Sequence, residues 1–372
     1  MYRPNERKRS LQGLDWSLLI TIGILLIYSL VAISSATHFQ SFSEGDSWYI
    51  RRQAAFILAS AIVVWLSLKF DYRMLKDLAP FLYWGTLALL LLVSFVGQTA
   101  LGAQRWLQIG PISIQPSEFA KIAMIIALAA KIEPLMIRIR GWREVIPIFI
   151  YVGVPAVLVL RQPDLGTALV FGAILLGMVF VAGIPWRVLG TLAGVLAVAV
   201  PVFWPFMHEY QRKRILVLFN PYEDPLGAGY HVIQSQIAIG SGELFGKGLF
   251  SGPQSQLNFL PENHTDFIFS VIGEELGFIG GIILILTYGF LLYRTLRISG
   301  EARDNFGMLL GTGIASMWAF HLLVNVGMTM GIMPVTGVPL PFISYGVSSL
   351  TTNMIGVAIL LNIWVRRKKI TF

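Results

Sequence analysis

The segment Phe259–Gly281, FLPENHTDFIFSVIGEELGFIGG, changes character in its middle: Glu262, Asn263, His264, Thr265 and Asp266 crowd its first half, and its second half is strongly apolar. A carboxylate at such a seam has two plausible uses. Asp266 can cap the helix that follows by accepting its first N–H groups. It can also be a general base whose pKa is raised by a partly apolar setting. Glu274 and Glu275 lie eight and nine residues further on, about 12–14 Å along a helix at 1.5 Å per residue, too far to pair with Asp266 as acid and base. His264 could assist Asp266, but a bare His-x-Asp is a weak metal signal, and no metal-ligand set is visible.

A second group sits in Leu101–Ala123, LGAQRWLQIGPISIQPSEFAKIA. Arg105 and Trp106 fall in an interfacial loop, where they read as a headgroup contact and an interface anchor. Pro116 suits the first turn of a helix, where its missing N–H costs little. Glu118 and Lys121 are three residues apart and so share a helical face. They read as a buried ion pair or as functional groups inside a membrane span. Arg161-Gln162-Pro163-Asp164 has the chemistry of a helix start, so Asp164 reads as structural. Gln211-Arg212-Lys213-Arg214 is an isolated basic run, suited to anionic lipid or to a phosphate-bearing lipid substrate held by Arg212 and Arg214.

The elements that must position these residues follow from composition. Of 372 residues, 55% are hydrophobic and 13% charged, with a mean hydropathy of +0.70; soluble domains carry about 25% charged residues. Ten continuous apolar runs are expected as membrane-spanning helices, near 16–36, 49–68, 77–97, 116–131, 145–160, 165–183, 187–207, 267–292, 306–327 and 343–365. Their length matches the roughly 17–25 residues that cross a bilayer, and continuous rather than alternating apolarity excludes a barrel. Most of the 28 basic residues then fall on one side, in short segments such as Arg3–Arg9, Lys69–Lys76, Lys131–Arg143 and Arg366–Lys369. That is the positive-inside pattern. The net charge of +8 is thus topological rather than a nucleic-acid surface.

The expectation is one all-α polytopic membrane domain over 1–372, a bundle of about ten transmembrane helices. Residues 1–15 and 366–372 are cytoplasmic, and 208–266 form one large extracellular loop. An ordered loop that long is usually functional, and the apolar spacing of Tyr230–Ile239 suggests an amphipathic helix along the membrane surface. Gly277 and Gly281, four apart, suggest close helix packing. The chain has no cysteine, which removes disulfide and thiolate–metal chemistry.

GAQRWL, QPSEFAK, QPDLGTA, DPLGAGYHVIQSQIAIGSG, QSQLNFLPENHTDFIF, GEELG and GVPLPFISYG, spread from the first span to the last, resemble the SEDS family of bacterial cell-wall proteins. GPQSQLNFLPENHTD is similar to the elongation branch of that family rather than the division branch. The resemblance implies a ten-span peptidoglycan glycosyltransferase of the bacterial cytoplasmic (inner) membrane, its active site facing outward. Such an enzyme polymerises lipid II through β-1,4 links, releases undecaprenyl pyrophosphate, and serves cell elongation and rod shape. The family's essential aspartate maps onto Asp266, its important tryptophan onto Trp106, and the glutamate and lysine of its fourth span onto Glu118 and Lys121. With Asp266 as the catalytic base, Trp106, Arg105, Glu118, Lys121, Arg212 and Arg214 are the candidates for substrate binding. The one departure noticed is YGVSS (Tyr345–Ser349), where relatives more often carry a second glycine.

The implied partners are lipid II as donor and acceptor, a class B penicillin-binding protein transpeptidase and other elongation-complex membrane proteins, with no nucleic acid. No fixed cofactor is implied, though a divalent cation, Mg or Mn, could neutralise the pyrophosphate. Two other readings stand beside this one. A lipid II flippase would need a polar path to the cytoplasmic side, and a non-catalytic scaffold for a cell-wall synthase would not need Asp266.

Overall fold

The computed structural model describes residues 13–38, 48–100, 103–110, 112–136, 141–188, 190–191, 194, 209–257 and 259–367. In chain order its helices are α1 (Trp16–Ala36), α2 (Trp48–Ser67), α3 (Met74–Val96), α4 (Pro116–Ile132), α5 (Trp142–Arg161), α6 (Leu165–Val181), α7 (Glu209–Phe219), α8 (Ala228–Ser241), α9 (Pro253–Gln256), α10 (Ile268–Gly300), α11 (Asn305–Thr329) and α12 (Val347–Val365). Among the described residues seven are long and apolar enough to cross a membrane: α1, α2, α3, α5, α10, α11 and α12. Helices α4 and α6 have 17 residues each, about 25 Å at 1.5 Å per residue and the short end of the spanning range. The seventh expected span, 187–207, lies almost wholly outside the described residues.

Local chemistry sets the helix starts. Asp15 accepts from Leu18 N–H at 3.1 Å, Asp164 from Thr167 N–H at 3.0 Å and Asp304 from Gly307 N–H at 2.8 Å. Pro116 occupies the first turn of α4, where no N–H is needed. Helices α4, α11 and α12 form the centre of the bundle, with α4 also packed on α3 and α6. Trp318 of α11 is fully buried there and donates Nε1–H to Asn353 of α12 at 2.8 Å. The outer helices instead turn large apolar side chains such as Phe81, Trp84 and Phe95 outward, as a lipid-facing surface requires.

Two features depart from the expected plan. The connection before α4 is a three-stranded antiparallel sheet rather than a plain loop: β1 (Gln98–Ala100), β2 (Ala103–Ile109) and β3 (Ile112–Ile114), in that order, with Gln98 opposite Trp106 and Leu107 opposite Ile114. Strand pairing satisfies the backbone groups of a segment lying against the membrane helices. The pairing fixes Arg105 and Trp106 at adjacent positions in its middle strand.

The second departure is in the large loop. Helix α8 covers Tyr230–Ile239, the segment expected to be helical. It runs beside the start of α10, with His231 stacked on Phe267, Ser235 Oγ 2.6 Å from Ser270 Oγ, and Gly242 packed on the Gly273 carbonyl. At Gly277, α10 breaks, with φ at 66°. The freed backbone groups pair with the glycine-rich loop: Lys247 and Gly248 N–H donate to the carbonyls of Glu274 and Glu275, each at 3.0 Å. Phe278 and Ile279 N–H donate to those of Glu243 and Leu244, at 2.8 and 3.1 Å. Irregular backbone at membrane depth persists only when satisfied by protein in this way. A Cβ on residue 277 would run into the backbone nitrogen of Gly246, so this glycine marks a break and not the helix–helix contact its spacing suggested.

Glu274 and Glu275 fasten the same loop. Glu274 accepts from Gln254 N–H, Ser255 N–H and Ser255 Oγ at 2.9, 3.0 and 2.6 Å and pairs with Lys247 at 3.5 Å. Glu275 accepts from Ser35 Oγ at 2.5 Å and from Gln256 Nε2 at 3.2 Å. The loop is thereby tied to both α1 and α10.

Candidate active site

Four helices begin around one cavity of about 140 Å³. It is lined by Arg105 and Trp106 from β2, Gln115, Glu118 and Lys121 at the start of α4, Asp164 and Thr167 at the start of α6, Asp266 just before α10, and Ser348 and Ser349 at the start of α12. Alternate spans of an up-and-down bundle start on the same side, so α4, α6, α10 and α12 point their N-terminal ends at a common point. Each end carries about half a positive charge in unsatisfied N–H groups. Arg105 and Lys121 add positive charge, while Glu118, Asp164, Glu262 and Asp266 line the same cavity with carboxylates. In the expected topology it opens outward.

The carboxylates in it have distinct jobs. Asp164 belongs to the frame. It caps α6 through Thr167 N–H, and its Oδ2 accepts from Thr167 Oγ1 at 2.9 Å and Gln115 Nε2 at 3.3 Å, with Arg105 Nη1 at 3.8 Å. Glu118 and Lys121 are both buried and joined at 2.7 Å, with Glu118 Oε2 left without a hydrogen-bond partner. A buried charge with an unfilled lone pair is expensive unless something else completes it.

Asp266 is half-buried and does not cap its helix. The N-cap position is Phe267, where no side chain accepts from the helix. Its backbone is held instead: Asn325 Nδ2 of α11 donates to the Asp266 carbonyl and to the Val338 carbonyl, both at 2.9 Å. Burial, and then the negative charge of Glu262, push the Asp266 carboxyl up to about 6, while Arg105 and Arg214 oppose the rise. Such a group is ionised at neutral pH yet basic enough to take a proton in a transition state. His264 is not its partner. Its imidazole packs against Tyr49 and Tyr345 at 4.9 and 5.8 Å, and burial depresses its pKa.

Asp266, Arg105, Trp106, Glu118 and Lys121 thus meet in one place. Arg212 and Arg214 do not line the cavity; they lie on α7, from which the charge of Arg214 reaches Asp266 and His231. The sequence reading missed two contributors. One is the segment 337–349, whose Gly337, Val338, Pro339 and Tyr345 form a wall. The other is His321, whose Nε2 lies 3.2 Å from Lys121 Nζ. His321 is the sole ionisable side chain in the expected span 306–327, a signal that should have singled it out.

Fold and cavity together define a multi-pass membrane protein with a cavity at the starts of four helices that joins a carboxyl of raised pKa to a lysine and an arginine. The FtsW/RodA/SpoVE family of cell cycle proteins matches residues 11–369, and the chain belongs to that family. It is 40% identical over 367 residues to the peptidoglycan glycosyltransferase MrdB of Escherichia coli strain K12, covering 96% of this chain and 95% of that protein. It is 35% identical to the peptidoglycan glycosyltransferase RodA of Treponema pallidum, covering 97% of this chain and 100% of the relative. Among solved structures, a peptidoglycan synthase complex that coordinates polymerization and crosslinking matches with a TM-score of 0.81 at 34% identity, over 96% of this chain and 99% of that one. The crystal structure of the Thermus thermophilus rod shape determining protein RodA matches with a TM-score of 0.72 at 32% identity, over 96% and 98% of the two chains.

Proposed function

We propose that the chain is a peptidoglycan glycosyltransferase of cell elongation that polymerises lipid II at the outer face of the bacterial cytoplasmic membrane, with Asp266 as its base. The carrying observation is that a carboxyl of raised pKa shares one small cavity with a buried lysine, an arginine and four helix N-termini. The acceptor's 4-hydroxyl oxygen bonds to the anomeric carbon of the donor, its proton passes to Asp266, and the bond from that carbon to the pyrophosphate oxygen breaks with inversion. Lys121, Arg105 and the helix N-termini stabilise the charge gathering on the pyrophosphate, the largest single contribution in many such sites.

At about 140 Å³ the cavity is well below the roughly 300–1,000 Å³ that encloses a drug-sized ligand. It therefore receives the reacting atoms, while the sugars lie at its mouth beside Trp106 and Tyr345 and the lipid tails stay in the bilayer. Among the described residues no group of three or more His, Asp or Glu side chains is placed to hold a metal. An Mg or Mn ion acting here would come with the pyrophosphate. By its similarity to a synthase complex that couples polymerization to crosslinking, the chain works beside a transpeptidase, a class B penicillin-binding protein, and other membrane proteins of the elongation complex. Arg212 and Arg214 are assigned to attracting the lipid's phosphates toward the mouth. The charged groups of the cavity cluster near the ends of four helices rather than along a path through the bundle, which favours transfer over flipping. Purified chain with its transpeptidase and labelled lipid II should yield glycan strands. Transport of lipid II across vesicles without polymer would replace this reading with the flippase.

A further inference from the structure

His321 sits on α11 facing two groups of opposite character. Its Nδ1 is 2.8 Å from the carbonyl oxygen of Pro339, and its Nε2 is 3.2 Å from Lys121 Nζ. A carbonyl can only accept, so Nδ1 carries the ring proton. An ammonium can only donate, so Nε2 presents its lone pair. The ring is a neutral imidazole locked into one tautomer by its two neighbours. An imidazolium would set two cations 3.2 Å apart in a site where both residues are at most 2% exposed.

Lys121 then has three N–H bonds and two protein acceptors, Glu118 Oε1 at 2.7 Å and His321 Nε2 at 3.2 Å. With Glu118 alone, the ammonium would be free to turn about that contact or settle between both carboxylate oxygens. A second acceptor on another helix fixes the direction of the third N–H. Lys121 and His321 both line the cavity, so that third donor is available to a ligand in it. Asn325, one turn beyond His321, binds the carbonyls of Asp266 and Val338. One face of α11 therefore sets Lys121 through His321 and Asp266 through Asn325.

We propose that His321 is a positioning residue: a neutral hydrogen-bond acceptor that aims the Lys121 ammonium at the leaving pyrophosphate and fixes its distance from Asp266. This rests on the functional reading above. His321 does not touch the reacting atoms; it acts through Lys121.

Two amide substitutions separate its two bonds. In His321→Asn the amide nitrogen falls near the place of Nδ1, so it keeps the Pro339 contact and loses Lys121. In His321→Gln an amide oxygen reaches the neighbourhood of Nε2 and can accept from Lys121. Each variant is purified as the full chain with its transpeptidase, assayed on lipid II and melted, and its structure is solved to place Lys121 Nζ. His321→Gln should retain polymerisation within about fivefold of the parent. His321→Asn and His321→Leu should lose about 10²-fold in kcat with little change in KM, the loss typical of one preorganised donor, and His321→Asn should melt close to the parent. Lys121 Nζ should stay in place in the Gln variant and shift in the Asn variant. An active His321→Asn beside an inactive His321→Gln would overturn the proposal, because the Pro339 bond would then be the one that matters. Near-parental activity in His321→Leu would overturn it too. If the parent chain itself makes no glycan, the functional reading fails, while the position of Nζ still decides whether His321 places Lys121.

Discussion

Asp266 packs directly against Gly337: a methyl group at 337 would lie 3.2 Å from Asp266 Oδ2, and the glycine holds φ at 70°. Segment 337–349 is in this way a template for the carboxylate. Ser344 Oγ donates to the Thr265 carbonyl at 2.7 Å and Tyr345 N–H to the His264 carbonyl at 2.9 Å, so the template is pinned to the two residues that precede the base. Gly337→Ala should cost about 1–2 kcal/mol for the left-handed backbone and displace the carboxylate by a few tenths of an ångström. Since a shift of about an ångström can cost roughly 10²-fold, polymerisation should fall about tenfold with a modest loss in melting temperature. Full activity in Gly337→Ala would show that the base tolerates a looser seat.

The capping role having gone to no side chain, Asp266→Asn isolates base chemistry. Size and polarity are kept, so insertion and melting should stay near the parent while polymerisation drops to background. Asp266→Glu should also be poor, by roughly 10²-fold, because the added methylene moves the carboxylate by about an ångström. Glycan synthesis by Asp266→Asn would remove Asp266 from the mechanism.

The buried pair asks for a cycle rather than a single change. Lys121→Met leaves Glu118 charged and unpaired, which costs about 3–5 kcal/mol in buried sites. The single variant therefore confounds stability with rate. The double variant Glu118→Gln with Lys121→Met should recover most of the melting temperature and none of the activity, remaining about 10²–10³-fold slow. If the double variant polymerises normally, the pair is part of the packing only.

Glu274 predicts a different phenotype. It is fully buried and accepts three hydrogen bonds from α9 while pairing with Lys247. Glu274→Ala strands those donors, each buried orphan costing about 1–3 kcal/mol. The loop 242–257 should become sensitive to protease added from outside, with a lower melting temperature. An equally protease-resistant variant would mean that Glu275 and the backbone pairs at Gly277 suffice.

Much of this was legible in the sequence because it is local. The apolar runs marked α1, α2, α3, α5, α10, α11 and α12 as spans, Pro116 and Asp164 marked helix starts, the i, i+3 spacing put Glu118 and Lys121 on one face, and the polar-to-apolar seam singled out Asp266. What was not legible depends on distant partners. The break at Gly277 exists because residues 243–248 supply the missing hydrogen bonds, and helical spacing alone made that glycine look like a packing position. The approach of His321 to Lys121 joins residues 200 apart in sequence, and only the packing of α11 on α4 creates it. The sheet around Trp106 was hidden for another reason: strands of three to seven residues leave too little alternation to distinguish from a loop.

The pH dependence follows from the sign of the shift at Asp266. Its carboxyl lies at about 6, raised from 3.8, and the base must be ionised to accept the hydroxyl proton. Activity should therefore rise with pH through about 6 and level off above it, falling about tenfold per unit on the acid side. The neighbours that set the value give it away. Glu262 raises the Asp266 pKa and Arg214 lowers it. Glu262→Gln should move the acid limb to lower pH, and Arg214→Gln should move it to higher pH. Glu262 takes no part in the mechanism, so the plateau rate of Glu262→Gln should change less than its midpoint; Arg214→Gln also weakens attraction of the lipid's phosphates, so its midpoint alone is the readout. The measurement is kcat/KM for lipid II polymerisation between pH 4.5 and 8, a range chosen to span about 6, with protein stability checked at each end. A limb that stays fixed in both variants would mean that another group titrates, and Asp266 would lose its place as the base.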